Sequence, residues 1–215
     1  MSACVKLFIE KGYYQTRMTD IIRDADVSVS TFQNIFRSKD GVLLDLAESM
    51  FENQFEFAGR VVGENASPAL LYAVETSVQL AIAELNENVR EVYVETYSHP
   101  RTAEYVYQKT SSALHRLLGK YQPDRGLSDF YEMEIGSSGM MRNYMARPCD
   151  KYFTLNRKLE SFLTMALRAY CVPPEEIQSI ILTIQQIDIL KLAESVLQEL
   201  FKMLSMRFDF HLSEN

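Results

Sequence analysis

Residues 3 to 43 constrain this chain most, because three short apolar-periodic segments lie close together there and the second connection is only a few residues long. The string is ACVKLFIEKGYYQTRMTDIIRDADVSVSTFQNIFRSKDGVL. The first segment carries Phe8 and meets a helix stop at Gly12. Met18, Ile21, Ile22 and Ala25 then repeat at helical spacing. Asp26-Val27-Ser28 reads as a tight turn, and Ser28 is placed to cap a further short helix carrying Thr31, Phe32, Ile35 and Phe36. Two short helices joined by such a turn, braced by a preceding helix, form the unit that lays its second helix in the major groove of DNA.

Charge bears on that expectation. The chain has 215 residues and a net charge of -7, which speaks against nonspecific coating of nucleic acid. The charge is unevenly placed. Up to residue 47, Lys6, Lys11, Arg17, Arg23, Arg37 and Lys39 are cancelled by Glu10, Asp20, Asp24, Asp26, Asp40 and Asp45. The head is therefore neutral and the body acidic, so DNA binding would depend on few, well-placed contacts. Apolar residues make up 47% and few breakers interrupt them, with Gly 8 and Pro 6. No strand alternation and no internal repeat is visible. The fold class expected is all-α, with a three-helix head over 1–47 and a helical body over 48–215.

Along the body the punctuation predicts a fourth helix from Ser38 to near Gly63, linking head to body. A long helix opens at Pro68 and ends before Pro100, and further helices cover 101–121 and about 127–147. Gly136-Ser137-Ser138-Gly139 predicts a kink or break inside the latter. The last two helices are expected at about 151–171 and 174–207, separated by Pro173-Pro174. In the final one, Ile177, Ile181, Ile184, Ile187, Leu190, Ala193, Leu197, Leu200 and Leu204 follow at three- and four-residue steps, and Leu182, Ile189, Leu192, Val196 and Phe201 add a second stripe. A helix apolar on two sides needs two partners. One is its own domain. The other is expected to be a second copy, with help from Tyr152, Leu155, Leu159, Phe162, Leu163 and Ala166, giving a homodimer with a four-helix interface.

Catalytic signals are weak. His99, His115 and His211 are scattered, and no metal, phosphate-loop, dinucleotide or nucleophile-elbow motif occurs. No catalytic residue, cofactor or metal is expected. Glu132 and Glu134, two apart, point to different helix faces and read as surface acids. Glu91, Glu95 and His99 share one stripe, which reads as a solvated face rather than a metal site. Cys4, Cys149 and Cys171 have no metal-ligand spacing and read as reduced thiols in or near cores. No signal peptide opens the chain and no apolar run reaches the ~18 residues of a membrane span, so no membrane association is expected and a cytoplasmic location is. The body is rich in Tyr and Met. Tyr93, Tyr97, Tyr105, Phe130, Met133, Met140, Tyr144 and Phe162 suit a cavity for a small apolar or aromatic effector, and they suit an ordinary helical core equally well.

Ala3, Leu7-Phe8, Gly12-Tyr13, Thr16, Asp20-Ile21, Ala25, Val27-Ser28, Thr31, Phe36 and Ser38-Lys39-Asp40 together resemble the N-terminal signature of tetracycline-repressor-type regulators. The resemblance covers about a fifth of the chain. It departs from the usual pattern at Asp26 and Ser30, where glycine is frequent, at Gln33, where a phosphate-touching Tyr is usual, and at Ile35, where His is common. Asp tolerates the left-handed conformation, so the turn survives. The resemblance implies a homodimeric repressor of double-stranded DNA whose helical body binds a small molecule. The DNA-facing set expected is Thr16, Arg17, Ser28, Val29, Ser30, Thr31, Gln33, Asn34, Arg37 and Lys39. Gln33 and Asn34 are the base readers, and Arg17 and Lys39, at helix starts, the phosphate contacts. The alternative is a helical small-molecule-binding or scaffold protein with a degenerate head, for which the head's neutrality and Gln33 speak.

Overall fold

The computed structural model describes residues 1–51, 55–63 and 66–208, apart from the side chains of 203–208. Among these residues there are α-helices and no strand, in agreement with the all-α reading. The head holds α1 (Ser2–Lys11), α2 (Met18–Asp24) and α3 (Val29–Phe36), and α4 (Lys39–Phe51) leads from it into the body. The body adds α5 (Glu56–Val62), α6 (Pro68–Leu85), α7 (Glu87–Thr96), α8 (Pro100–Leu118), α9 (Leu127–Ala146), α10 (Leu155–Ala169), α11 (Pro174–Gln186) and α12 (Ile189–Phe208).

Local chemistry sets most boundaries. Ser28 accepts a bond from the Thr31 amide at 3.0 Å and so caps α3. Asp26 in the preceding turn sits at φ 49, the left-handed conformation expected of it. Gly12 ends α1 at φ 85, where any side chain would be strained. Ser67 caps α6 through the Leu70 amide, ahead of Pro68.

Several expected helices come out differently. The fourth is two elements, with α4 ending at Phe51 and α5 starting at Glu56. The long helix from Pro68 breaks at Asn86, whose extended backbone lets its side chain accept from the amides of Asn88 and Val89 and start α7. The final helix breaks at Ile187-Asp188, where Ile187 is extended and Asp188 accepts from the Lys191 amide at 3.1 Å. Conversely, α9 runs unbroken through Gly136 to Gly139. Within it Ser137 donates to the Glu134 carboxylate at 2.6 Å and Ser138 to the Ile135 carbonyl at 3.4 Å. The segment before α10 is not helical, so that helix is shorter than expected.

Two apolar clusters organise the chain. In the head, Val5, Leu7 and Phe8 of α1, Ile21 of α2, Phe32 of α3 and Val42, Leu43 and Leu46 of α4 pack together. In the body the centre is α6, buried over most of its length and packed on α5 and on α7 through α12. Phe51, at the end of α4, belongs to this second cluster, so α4 serves both. A buried ion network locks the body: Lys158, fully buried, donates to Glu84 and to the Arg147 carbonyl at 2.5 Å each, and Arg90 reaches the same Glu84 at 3.4 Å.

Burial corrects two further expectations. Glu134 is a core residue, while Glu132 is exposed. Of the cysteines, all free, only Cys4 is buried and Cys171 is exposed. The apolar stripe of the last helices is also mostly spent within the chain. Ile177, Ile180, Ile181 and Ile184 are buried, as are Leu159, Phe162, Leu163 and Ala166 of α10. After the break, α12 folds back on α6 and touches α1. Leu204 and His211 lie outside the residues whose side chains are described.

Candidate functional site

In the head, α3 has most of its side chains exposed. On α3, Val29, Ser30, Thr31, Gln33, Asn34 and Ile35 are exposed, while Phe32 is buried and Phe36 half-buried. The two phenylalanine rings pack at 5.4 Å and hold the helix to the core from its inner side. Val29 and Ile35 are 52% and 64% exposed. The Ser28 hydroxyl is engaged with Ser30 at 2.9 Å and Thr31 at 2.8 Å, besides its capping bond.

Cations flank this face unevenly. Arg17 precedes α2 and Arg37 follows α3 at φ 62, both exposed, and among the described residues neither has an acidic partner. Arg23 is paired with Asp20 and Asp24. Lys39 is placed differently from the expectation. It starts α4, but its ammonium donates to the carbonyls of Tyr13 at 2.8 Å and Thr16 at 3.2 Å and lies 4.1 Å over the Tyr13 ring. Burial holds it below the usual lysine range. Thr16 is buried as well, its hydroxyl donating to the Leu7 and Gly12 carbonyls. These two side chains build the loop between α1 and α2 and leave the outward face to the others. Gly41 fixes the next join: a Cβ there would sit 1.8 Å from the Phe36 carbonyl oxygen.

Behind the head, α7 forms the seam with the body. Glu91 accepts from the Tyr14 amide at 3.3 Å and Glu95 from the Tyr14 hydroxyl at 2.5 Å. Asn88 donates to the Ile9 carbonyl at 2.8 Å. His99, just before α8, faces Asp40 at 3.5 Å, and Asp40 also accepts from the Tyr13 hydroxyl at 2.6 Å. The stripe of Glu91, Glu95 and His99 that reads as a solvated face in the sequence is thus the head's docking edge. Adjacent residues of α7 look two ways: Val92 is part of the head core, and Tyr93 lines a cavity in the body.

That cavity, of about 280 Å³, lies between α4, α5, α6, α7 and α12. Its apolar wall includes Phe51, Phe57, Val78, Ile82, Tyr93 and Leu200, and its polar wall Glu56, Arg60, Glu75, Gln79 and Glu199. Glu75 is buried, and burial pushes its carboxyl up to about 7. Gln79 donates to it at 2.9 Å and accepts from Tyr97 at 2.8 Å. Gln79 and Tyr97 also border a far smaller void, about 20 Å³, with Glu134, Ser137 and Phe162. There burial likewise raises the Glu134 carboxyl to about 7, against the donors Ser137 and Tyr170.

Of the ligand candidates, Tyr93 lines the larger cavity, and Tyr97 and Phe162 line the small void. Phe130 is core, stacked on Tyr170, and Tyr144 packs on Phe153 and Phe162. Tyr105, Met133 and Met140 are half-buried against the body core. Glu75, Gln79, Phe51 and Phe57 are absent from the sequence-derived set. A trace was present: Glu75, Thr76, Ser77 and Gln79 interrupt an otherwise apolar helix, and all four are buried. Among the described residues no group of three or more His, Cys, Asp or Glu could hold a metal ion, and no helix is long and apolar enough to cross a membrane.

Comparison with known proteins bears on the head. Residues 1–46 match the family described as bacterial regulatory proteins, tetR family. No curated protein and no solved structure matches the chain.

Proposed function

We propose, from the premise that residues 1–46 make this chain a DNA-binding transcriptional regulator of the tetR family, that it is a ligand-responsive repressor. It binds a palindromic operator as a homodimer in the cytoplasm, and a small molecule in the body alters that binding. The observation that carries the ligand half is α7, on which Val92 belongs to the head core and its neighbour Tyr93 to the wall of the 280 Å³ cavity. A molecule that moves Tyr93 acts on a helix to which the head is bonded at Tyr14 and Ile9. Coupling of this kind requires only that the cavity accept the ligand better in one position of α7 than in the other.

In this reading α3 enters the major groove. Gln33 and Asn34 meet base edges, Val29, Ser30 and Thr31 complete the contact, and Arg17 and Arg37 take phosphates. Ser28, Thr16 and Lys39 act indirectly, by capping α3 and shaping the loop before α2. Bodies pair through the outer sides of α10 and α11, where Met165 and Leu182 stay 42% and 52% exposed. The head and body divide near residue 47, within α4.

The test is selection of duplexes from a random pool by the full chain, followed by titration of the selected site. An inverted repeat bound far more tightly than scrambled duplex is the expected result. Enrichment of no sequence above background would reject it in favour of a body that has outlived its head.

A further inference from the structure

Among the described residues, the cavity behind α7 contains one carboxylate without a cation. Glu56 and Glu199 are both served by Arg60, at 3.4 Å and 3.0 Å, in a cluster at the exposed rim. Glu75 is different. It lies deeper, 9% exposed, and its one partner among the described residues is the Gln79 amide. A buried carboxylate that lacks a positive partner is costly to keep charged. Gln79 is itself held by Tyr97, so its amide cannot turn away, and the acid is presented to the cavity in a fixed pose. Phe51, Tyr93, Val78 and Ile82 line the same cavity. A carboxylate, aromatic side chains and an aliphatic wall together make a poor site for an anion and a good one for a positive charge carried on an apolar body.

We propose that this cavity takes a small organic cation, an amine or quaternary ammonium on an apolar or aromatic body, with its charge against Glu75. The inference rests on the reading of this cavity as the effector site and names the chemistry of what enters it. The cation supplies the missing partner of Glu75 and holds it ionised. Since the free carboxyl is pushed up to about 7, binding a permanent cation releases a proton, and affinity rises as pH rises from 6 to 8. The other charged or titratable groups lining the cavity are Glu56 and Arg60 of α5, Tyr93 of α7 and Glu199 of α12.

The experiment is calorimetric titration of the full chain, at pH 6 and pH 8, with three probes. These are benzyltrimethylammonium, its uncharged isostere neopentylbenzene, and benzoate. The native chain should bind the cation best, more tightly at pH 8. Glu75→Gln should weaken the cation at least tenfold and leave the uncharged probe within about twofold, while Glu134→Gln, outside the cavity, should change neither. Should Glu75→Gln fail to fold, the probe ranking and its pH dependence in the native chain decide alone. The cation binding no better than its isostere, equal binding by Glu75→Gln, or no binding of any probe would overturn the proposal. Duplex affinity is a separate readout: a bound cation that leaves it unchanged upholds the cavity's chemistry and removes its regulatory role.

Discussion

Lys39 donates to the carbonyl of Tyr13 at 2.8 Å and lies over the same residue's ring at 4.1 Å, so the first residue of α4 is pinned to the loop that precedes α2. The pin fixes the angle between the first two helices of the head and the helix that carries it to the body. Its test is Lys39→Met, which keeps the aliphatic stem and removes the three donors. Two carbonyls then lose a charged partner, a loss of ~1–3 kcal/mol in stability. Duplex affinity should fall only as far as folding does. The slope of log affinity against log salt should stay as in the native chain for the folded fraction. A slope lower by ~1 would instead mean that Lys39 reaches a phosphate.

The outward side of α3 and the two exposed arginines, Arg17 and Arg37, divide differently. Asn34→Ala should cost ~1–3 kcal/mol on the selected operator and little on scrambled duplex, because a base edge is read only where the base is right. Arg37→Ala should weaken both duplexes alike and flatten the salt dependence by ~1. Filter binding of the two variants on both duplexes, at low and moderate salt, checks this. Equal losses on both duplexes for Asn34→Ala would remove it from the base-reading set.

Assembly is tested at Leu182. The native chain should sediment at about twice 24.8 kDa at micromolar concentration. Leu182 is 52% exposed on α11, so Leu182→Glu costs the isolated subunit little but leaves an unpaired charge in a paired face. A chain of 24.8 kDa is the expected outcome. If the variant stays dimeric with unchanged dissociation, the face lies elsewhere.

What the sequence disclosed follows from the range of the interactions involved. Ser28, Asp26 and Gly12 act on neighbours within four residues, so the α2–turn–α3 unit and the exposure of Gln33 and Asn34 could be read directly. Asn86 and Asp188 are equally local caps, yet apolar periodicity ran through both and hid the breaks they make. The role of Lys39 could not be read, because its partners Tyr13 and Thr16 are 26 and 23 residues away. Glu91, Glu95 and His99 look like a solvated stripe until the head is laid on them. The cavity is illegible for the same reason: Phe51, Glu75, Tyr93 and Leu200 converge from four helices.

Glu134 gives the body a predictable response to pH. It is 4% exposed, accepts from Ser137 at 2.6 Å and Tyr170 at 3.1 Å through the same oxygen, and burial lifts its carboxyl from the ordinary 4.5 to about 7. Between those two values the folded chain holds a proton that the unfolded chain has lost. Stability from this group is therefore fully present below 4.5 and declines as pH rises towards 7. The decline amounts to ~3 kcal/mol at ~1.4 kcal/mol per pH unit. Glu134→Gln keeps the accepting oxygen and has no proton to lose, so it should match the native chain at pH 5 and exceed it at pH 8. Glu75, raised for the same cause, contributes its own decline in both chains and cancels from the comparison. Urea unfolding of the two chains at pH 5 and pH 8 measures the difference. A stability gap that stays constant between the two pH values would mean that Glu134 is not protonated in the folded chain near neutrality.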